Sequence, residues 1–280
     1  MGPKVLFLDL DGTLLNDQKE ITPGNRQAIG QMLELGHKVV ITSGRPLESA
    51  LLQAERLGLM GQGCYVIAYN GAVVYDCFRE REVFRAALRL EDLYAVFDEA
   101  NQRGVHIQTY GHGDVLVESR NDTQTVRRYC DIIHMNHRVI QDVRSILEPP
   151  VKALLIDFQS RAAIEGMLQW INEHMGGKAD CFFSSRYYLE VVPAGINKGY
   201  SVVNLCQRLG VPIEHTIAAG DEANDISMLQ AAGIGVAMRN AVPEAKEAAD
   251  YITKRDNNHD GIAEVIARFI LPEHGPLCLS

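Results

Sequence analysis

The chain has 280 residues, of which 46% are hydrophobic and 22% are charged, and 36 acidic residues against 27 basic ones give a formal charge of -9. This apolar content can bury a core large enough to offset chain entropy, which excludes intrinsic disorder, and the length predicts about two domains. The negative charge gives no general attraction to nucleic acid or anionic lipid, so neither is expected as a partner.

The first seventy residues alternate between strand and helix patterns. Short, continuous apolar runs predict buried strands at 5–8, 38–42 and 65–69. Apolar residues at helical spacing predict one helix from Thr22-Pro23 to Gly36 and a second from Pro46 to Gly58. This alternation predicts right-handed crossovers and a parallel sheet.

The pattern changes after the turn signal Asn70-Gly71. Between about residues 83 and 188, helical patterns fit 91–103 and 161–174, and strand-like runs fit 105–109, 115–118 and 151–157. Strands and helices then alternate again, with segments at 198–208, 216–219, 222–231, 234–237, 244–249, 251–253 and 261–269. The residues from Pro272 are expected to form a loose tail.

These patterns predict an α/β fold. Residues 1–82 and 189–280 are expected to form one doubly wound, Rossmann-like core with a parallel sheet. Residues 83–188 are expected to form an inserted α+β domain.

The sequence also indicates the compartment. No stretch approaches the ~18 consecutive apolar residues of a membrane helix. The first apolar run is interrupted by Asp9 and Asp11, so it is not typical of a secretion signal. The six cysteines show neither a CxxC pair nor zinc-finger spacing, which favours reduced thiols, although spacing alone leaves a Cys64–Cys77 pair open. We therefore expect a cytoplasmic protein with no membrane partner.

Polar residues follow three of the predicted strands. Asp9 and Asp11 come directly after the first strand, and Gly12 beside them lets the backbone turn and approach a ligand. Ligands bind outside the carboxyl ends of strands in open parallel sheets, which favours a site over a solvated acidic turn. Ser43 and Gly44 follow the second strand and precede a helix, an arrangement typical of an anion site.

A second acidic cluster opens a helix after the strand at 216–219. Asp221 and Asp225 belong to this segment, Gly220-Asp221-Glu222-Ala223-Asn224-Asp225. A helix cap explains one of these acids but not all of them. Carboxylates at neighbouring strand ends are oxygen ligands that suit Mg²⁺ together with a substrate phosphate.

Four motifs together resemble those of haloacid dehalogenase-like hydrolases. They are Asp-Leu-Asp-Gly-Thr at 9–13, Ser-Gly-Arg at 43–45, the lysine of Asn-Lys-Gly at 197–199, and Gly-Asp-Glu-Ala-Asn-Asp at 220–225. Asn-Gly-Ala at 70–72 and the inserted segment are similar to the Cof-type branch with a type IIB cap. The resemblance covers essentially the whole chain.

The resemblance implies catalytic and metal-binding roles. Asp9 resembles the nucleophile that forms an aspartyl-phosphate, and Asp11 the general acid that afterwards activates water. Mg²⁺ would bind Asp9, the backbone carbonyl of Asp11, and Asp221. Asp225 would hold the lysine or a metal-bound water.

It also implies a phosphate-binding set. Ser43, the Gly44 amide and the nearby Leu10 amide resemble the phosphate cradle. Lys198 would neutralise charge on the phosphate and on the nucleophile, and Asn224 would bind phosphate. The expected activity is Mg²⁺-dependent hydrolysis of a small phosphorylated metabolite, such as a sugar phosphate or a similar phosphomonoester.

Two alternatives remain open at this point. A phosphomutase would use the same intermediate but return the phosphate to its substrate. A phospho-receiver or binding protein would not turn over phosphate esters. The inserted domain is expected to act as a cap that recognises the leaving group, with His112, Arg120 and Arg186 as weak candidates.

Overall fold

The computed structural model describes residues 2–111 and 113–271. The candidate His112, Cys278 and the tail predicted from Pro272 lie outside these residues. The described strands are, in chain order, β1 (Val5–Leu8), β2 (Lys38–Thr42), β3 (Tyr65–Ala68), β4 (Val73–Asp76), β5 (Arg81–Arg85), β6 (His106–Gly111), β7 (Asp114–Glu118), β8 (His137–Ile140), β9 (Ala153–Ile156), β10 (Ala179–Ser185), β11 (Tyr188–Pro193), β12 (Thr216–Gly220), β13 (Ile234–Ala237) and β14 (Tyr251–Ile252). The described helices are α1 (Pro23–Glu34), α2 (Leu47–Leu57), α3 (Leu90–Arg103), α4 (Gln124–Ile133), α5 (Arg161–His174), α6 (Lys198–Leu209), α7 (Ile226–Ala231), α8 (Pro243–Glu247) and α9 (Gly261–Phe269).

The larger sheet confirms the predicted α/β class with a parallel core. Its eight strands lie in the order β14-β13-β12-β1-β2-β3-β4-β5, and the strands from β14 to β3 are parallel. Strand β1 lies between β12 and β2, and all four of its residues are fully buried, as its continuous apolar run predicts. The last two strands, β4 and β5, pair antiparallel.

The register places three strand ends side by side. Leu8 of β1 lies opposite Ala219 of β12 and opposite Ile41 of β2. Because the three strands are parallel, their carboxyl ends meet at the same edge of the sheet. This edge is where the polar residues singled out in the sequence follow their strands.

The inserted segment forms a second sheet of six strands, in the order β10-β11-β9-β6-β7-β8. Helices α3 and α5 pack their buried Phe97 and Met167 into one cluster with Leu155 of β9. Tyr110 of β6 packs edge-to-face on Tyr69, which follows β3 of the larger sheet, with the ring centroids 5.5 Å apart. This contact joins the two sheets close to the strand ends.

The two sheets do not divide the chain at the predicted domain boundaries, near residues 83 and 188. Residues 83–85 belong to β5, which pairs with β4 in the larger sheet, so that sheet extends past residue 82. Residues 189–193 belong to β11, which pairs with β9 and β10 in the smaller sheet rather than continuing the core. Strand β5 follows its partner β4 after a turn, and the partner β9 of β11 is distant in sequence, so local sequence patterns do not reveal either pairing. The division into two domains stays a prediction.

Two further observations bear on the expected compartment. None of the helices within residues 2–111 and 113–271 is long and apolar enough to cross a bilayer. The cysteines of this part of the chain are free thiols, including Cys64 and Cys77, so that pair is not a disulfide.

Candidate active site

The strand ends bring three carboxylates together. Asp9 follows β1, and its N–H donates to the carbonyl of Ala219 at 3.0 Å, which extends the pairing of β1 with β12. Asp9, Asp221 and Asp225 are all buried, and each offers an oxygen within 4.8 Å of the others. The two acidic segments therefore meet at one point, as their positions after neighbouring strands predict.

Each carboxylate of the second segment is fixed by hydrogen bonds. Thr13 donates its hydroxyl to Oδ1 of Asp221 at 2.7 Å. Oδ2 of Asp225 accepts the backbone N–H groups of Asp221 and Glu222, at 2.9 and 3.0 Å. These contacts leave no described hydrogen bond on Oδ2 of Asp221.

Lys198 provides the positive charge of this cluster. It begins α6, directly after Asn197, whose side-chain oxygen accepts the N–H of Tyr200 at 2.8 Å and so caps the helix. Its side chain is fully buried, and Nζ donates to Oδ1 of Asp9 at 2.6 Å and to Oδ1 of Asp225 at 2.5 Å. Burial alone would lower the pKa of Lys198, but the charges of Asp225 and Asp9 outweigh it and raise the pKa.

Three buried carboxylates lie together and only Asp9 and Asp225 pair with the ammonium group of Lys198, which leaves an excess of negative charge. Burial, and then the charge of Asp225, raises the pKa of Asp9 to about 7. Burial, and then the charge of Asp9, raises the pKa of Asp221 to about 9. Such groups ionise together only when another cation lies among them.

The residues present fit a divalent cation such as Mg²⁺. Their donor atoms are all oxygens, the set that Mg²⁺ prefers. Gly12 adopts a φ of +82°, and a Cβ at this position would lie 2.9 Å from Cγ of Asp221 and closer still to Oδ2. The glycine therefore makes the space that the Asp221 carboxylate occupies.

The carboxylate of Asp11 lies outside this group of three. Arg45 donates to it from Nε and Nη2, both at 2.6 Å, and Nζ of Lys19 lies 2.8 Å away. Burial would raise the pKa of Asp11, but Arg45 and then Lys19 outweigh it and lower the pKa to about 2. Its predicted metal contact through the backbone carbonyl stays a prediction. In this arrangement the side chain is ionised at neutral pH and can accept a proton but not donate one.

The chain turns directly after β1. Leu10 is fully buried within that turn, and its carbonyl accepts the N–H of Leu15 at 2.8 Å. A left-handed Gly12 follows. The Asp11 carboxylate pairs with Arg45 rather than joining Asp9, Asp221 and Asp225, and its charge contributes to the raised pKa of Asp9. The shared site expected for Asp9 and Asp11 stays a prediction.

The loop after β2 lies beside the carboxylates. Ser43 is buried, and its Oγ accepts the N–H of Arg45 at 3.2 Å, so its hydroxyl hydrogen stays available to a ligand. Asn70 donates its N–H to the carbonyl of Ser43 at 3.0 Å. A Cβ on Gly44 would lie 3.0 Å from Oδ1 of Asn70, so glycine permits this close approach.

Asn70 is a site residue that sequence reasoning missed, because it served there only as a turn signal and a family marker. Its φ of +54° is a left-handed conformation that asparagine tolerates better than most residues. Oδ1 of Asn70 accepts from Nδ2 of Asn224 at 2.9 Å, which links the third strand end to the second acidic segment. Nδ2 of Asn70 is buried and has no hydrogen-bond partner among the described residues.

The two described cap candidates lie elsewhere. Arg120 and Arg186 are exposed; the first lies 3.5 Å from Glu118, and the second stacks over Tyr187. Tyr188 of β11 is partly buried: burial raises its pKa to about 12, against the charge of Arg128 and together with the charges of Glu190 and Asp11.

Comparison with known proteins agrees with this geometry. The chain matches the model of the haloacid dehalogenase-like hydrolases over residues 6–266. It is 30% identical over 275 residues to the 5-amino-6-(5-phospho-D-ribitylamino)uracil phosphatase YcsE of Bacillus subtilis, with 96% of each chain covered. A haloacid dehalogenase-like hydrolase from Bacteroides thetaiotaomicron has a TM-score of 0.87 and 33% identity, with 95% of this chain and 99% of that one covered. The subclass IIB sugar phosphatase BT4131 has a TM-score of 0.80 and 25% identity, with 95% of this chain and 98% of that one covered. The chain therefore belongs to the haloacid dehalogenase-like hydrolases and is a phosphatase of that family.

Proposed function

We propose that this phosphatase hydrolyses small phosphorylated metabolites with Mg²⁺, through an aspartyl-phosphate formed on Asp9. The observation that carries this proposal is the position of Lys198 between Asp9 and Asp225, beside a third carboxylate and the loop of Ser43. A buried nucleophile with a fixed cation, facing anion-binding groups, is what phosphoryl transfer requires.

Asp9 and Asp221 would hold the Mg²⁺ ion. Their Oδ2 atoms have no described hydrogen bond, whereas both oxygens of Asp225 are already engaged. Asp225 is therefore better suited to holding Lys198 in place. When bound, the ion would neutralise part of the charge that builds up on the phosphoryl group.

Asp9 acts as the nucleophile in this mechanism. Lys198 pairs with Asp9, and the carboxylate oxygen that does not hold the ion forms a bond to phosphorus while the bond from phosphorus to the leaving alkoxide breaks. Water then attacks the aspartyl-phosphate, and inorganic phosphate leaves with the Asp9 carboxylate restored. The ammonium group lowers the repulsion between the anionic nucleophile and the anionic substrate.

The phosphoryl oxygens would be bound by groups from three strand ends. The Ser43 hydroxyl and the amides of Gly44 and Leu10 provide donors, as the family resemblance implies. Asn224 joins them through its contact with Asn70, whose unpartnered Nδ2 adds a donor that the resemblance did not suggest. An unpartnered buried amide is costly, and a phosphoryl oxygen would satisfy it.

Asp11 is proposed as the acid that protonates the leaving oxygen and as the base that then activates water. The first role requires release from Arg45 and Lys19, because those contacts hold its pKa at about 2. An anionic substrate offers Arg45 another partner, and loss of the Arg45 contact would let the pKa of Asp11 rise.

The substrate class is proposed from the relatives and from the inserted sheet. YcsE acts on a phosphorylated ribitylamino compound, and BT4131 is a sugar phosphatase. Both names point to phosphate esters of polyhydroxylated molecules. We expect the inserted segment to cover the strand ends and to recognise the leaving group, with the partly buried Tyr188 as a candidate in preference to the exposed Arg120 and Arg186.

The test compares Asp9→Asn with the wild-type protein in phosphate release from a panel of sugar and polyol phosphates, with Mg²⁺ and with EDTA. Because asparagine has nearly the same shape but is a poor nucleophile, we expect turnover to fall by roughly 10⁴-fold or more while the fold is kept. Asp92→Asn, which changes a buried aspartate of α3, is the matched control. A folded Asp9→Asn protein with a tenth of wild-type turnover, or full activity in EDTA, would contradict the proposal. Return of phosphate to the substrate without net release would indicate a phosphomutase.

A further inference from the structure

A lysine of the inserted segment contacts the loop of Ser43 and Gly44. Lys152 immediately precedes β9, and its side chain is 1% exposed. Its Nζ donates to the backbone carbonyl of Gly44 at 3.0 Å and to Oε2 of Glu190, on β11, at 2.7 Å. One ammonium group thus joins the smaller sheet to the phosphate-binding loop of the larger one.

The surroundings of Lys152 offset the cost of burying a charge. Glu190 balances the charge, and its other oxygen accepts the hydroxyl of Ser184 at 2.7 Å. The rings of Tyr110 and Tyr69 lie with their centroids 5.1 and 5.7 Å from Nζ, within the range of cation–π attraction. The ion pair of Lys152 with Glu190 lies within the smaller sheet. The additional contact of Lys152 with the Gly44 carbonyl is not needed for that pair, and it connects the smaller sheet to the larger one.

The Gly44 carbonyl belongs to a peptide group that also orients the Ser43 hydroxyl. The N–H of the same peptide, on Arg45, donates to Oγ of Ser43 at 3.2 Å. A cation on the oxygen end of a peptide polarises it and strengthens donation from its N–H end. The side chain of Arg45 holds Asp11, so the contact of Lys152 reaches both the phosphate-binding hydroxyl and the residue proposed to move protons.

We propose that Lys152 is a positioning residue that couples the placement of the inserted sheet to the geometry of the phosphate-binding loop. With Lys152 in place, the peptide between residues 44 and 45 is held at both ends, and Ser43 presents its hydroxyl hydrogen to the phosphoryl group. Without this contact the loop loses its order and turnover falls. The proposal rests on the proposed function, because Ser43 is taken there to bind phosphate.

The test uses Lys152→Met/Glu190→Gln, in which both side chains keep their approximate shape and no unpaired charge stays buried. Ser184→Ala is the matched control, because it removes a hydrogen bond from the same network without touching Gly44. Two properties are measured for each variant. The first is kcat and KM for p-nitrophenyl phosphate. The second is amide hydrogen exchange in residues 43–45, with residues 97–100 of α3 as the internal reference.

We expect the double variant to lose roughly 10- to 100-fold in kcat, with a smaller change in KM, because misplacement of a reacting group by about 1 Å has this effect. Exchange in 43–45 should quicken while exchange in 97–100 stays at the wild-type rate. Ser184→Ala should match the wild type in both. The proposal is overturned if the double variant behaves like Ser184→Ala, or if exchange rises equally in both segments, as a purely structural role predicts. If the wild type hydrolyses no phosphate ester, the proposed function fails, whereas exchange in 43–45 still decides whether Lys152 orders the loop.

Discussion

Substitution of Gly12 tests whether the fold makes room for the Asp221 carboxylate. In Gly12→Ala the new Cβ would lie 2.9 Å from Cγ of Asp221, a distance that Cβ contacts essentially never reach, so the carboxylate must move. Gly36→Ala is a closely matched control. Gly36 has a φ of +81° against +82° for Gly12, and a Cβ there would meet no atom within 4 Å.

Both substitutions lower stability through the backbone, but only Gly12→Ala also disturbs a side-chain hydrogen bond. Each places alanine in a left-handed conformation, which costs about 1–2 kcal/mol. Only Gly12→Ala also breaks the hydrogen bond from Thr13 to Asp221, and leaving the fully buried Thr13 hydroxyl without its partner costs about 1–3 kcal/mol. We therefore expect a loss of about 2–5 kcal/mol for Gly12→Ala against about 1–2 kcal/mol for Gly36→Ala.

The assay is urea unfolding in EDTA, followed by a Mg²⁺ titration that records the rise in Tm. A displaced carboxylate should weaken Mg²⁺ binding by roughly 10- to 100-fold, so Gly12→Ala should need correspondingly more metal for the same rise. Gly36→Ala should respond at wild-type concentrations. Equal losses of stability together with equal Mg²⁺ responses in the two variants would refute the reasoning.

Two further predictions concern charge. Lys198→Met should lower the free energy of unfolding by about 3–5 kcal/mol, because it removes the ammonium group between Asp9 and Asp225. Urea titrations without metal measure this loss. A loss below about 1 kcal/mol would show that the carboxylates do not need this cation for stability. Burial would raise the pKa of Asp76, but the backbone and side-chain hydrogen bonds that Arg79 donates, and the charge of Arg79, lower this pKa. The ionised Asp76 therefore contributes to stability in full above about pH 4, and this contribution is lost as the pH falls. The difference in unfolding free energy between the wild type and Asp76→Asn should therefore shrink from pH 6 to pH 3, and a constant difference would contradict this sign.

Much of the larger sheet could be predicted from the sequence, because its central strands β12, β1, β2 and β3 are buried on both faces. Strand β1 follows the apolar run at 5–8, and β2 follows the run at 38–42, with identical bounds. The meeting of Asp9 with Asp221 also follows from position, since parallel strands end at one edge. Helix α4 escaped prediction although its buried residues have helical spacing, at Val126, Tyr129, Cys130 and Ile133.

The features that escaped prediction depend on pairing between distant residues. Strand β11 continues the chain toward the core, but its partners are β9 and β10. The ion pair of Asp11 with Arg45 joins residues that precede two different helices, and no local pattern shows it. The same holds for Lys152, whose contact with Gly44 crosses between the sheets.

The central position of β1 has a consequence for biosynthesis. Val5 pairs with Thr216, so β1 leaves the ribosome long before β12 is made, and the whole inserted segment emerges between them. The nascent chain carries Asp9 without Lys198 for most of that interval, and Asp221 and Asp225 are made only after β12. Closure of the β1–β12 ladder is a long-range step, and such pairings form slowly. We therefore expect the enzyme to gain activity only late in translation, after β12 has paired with β1.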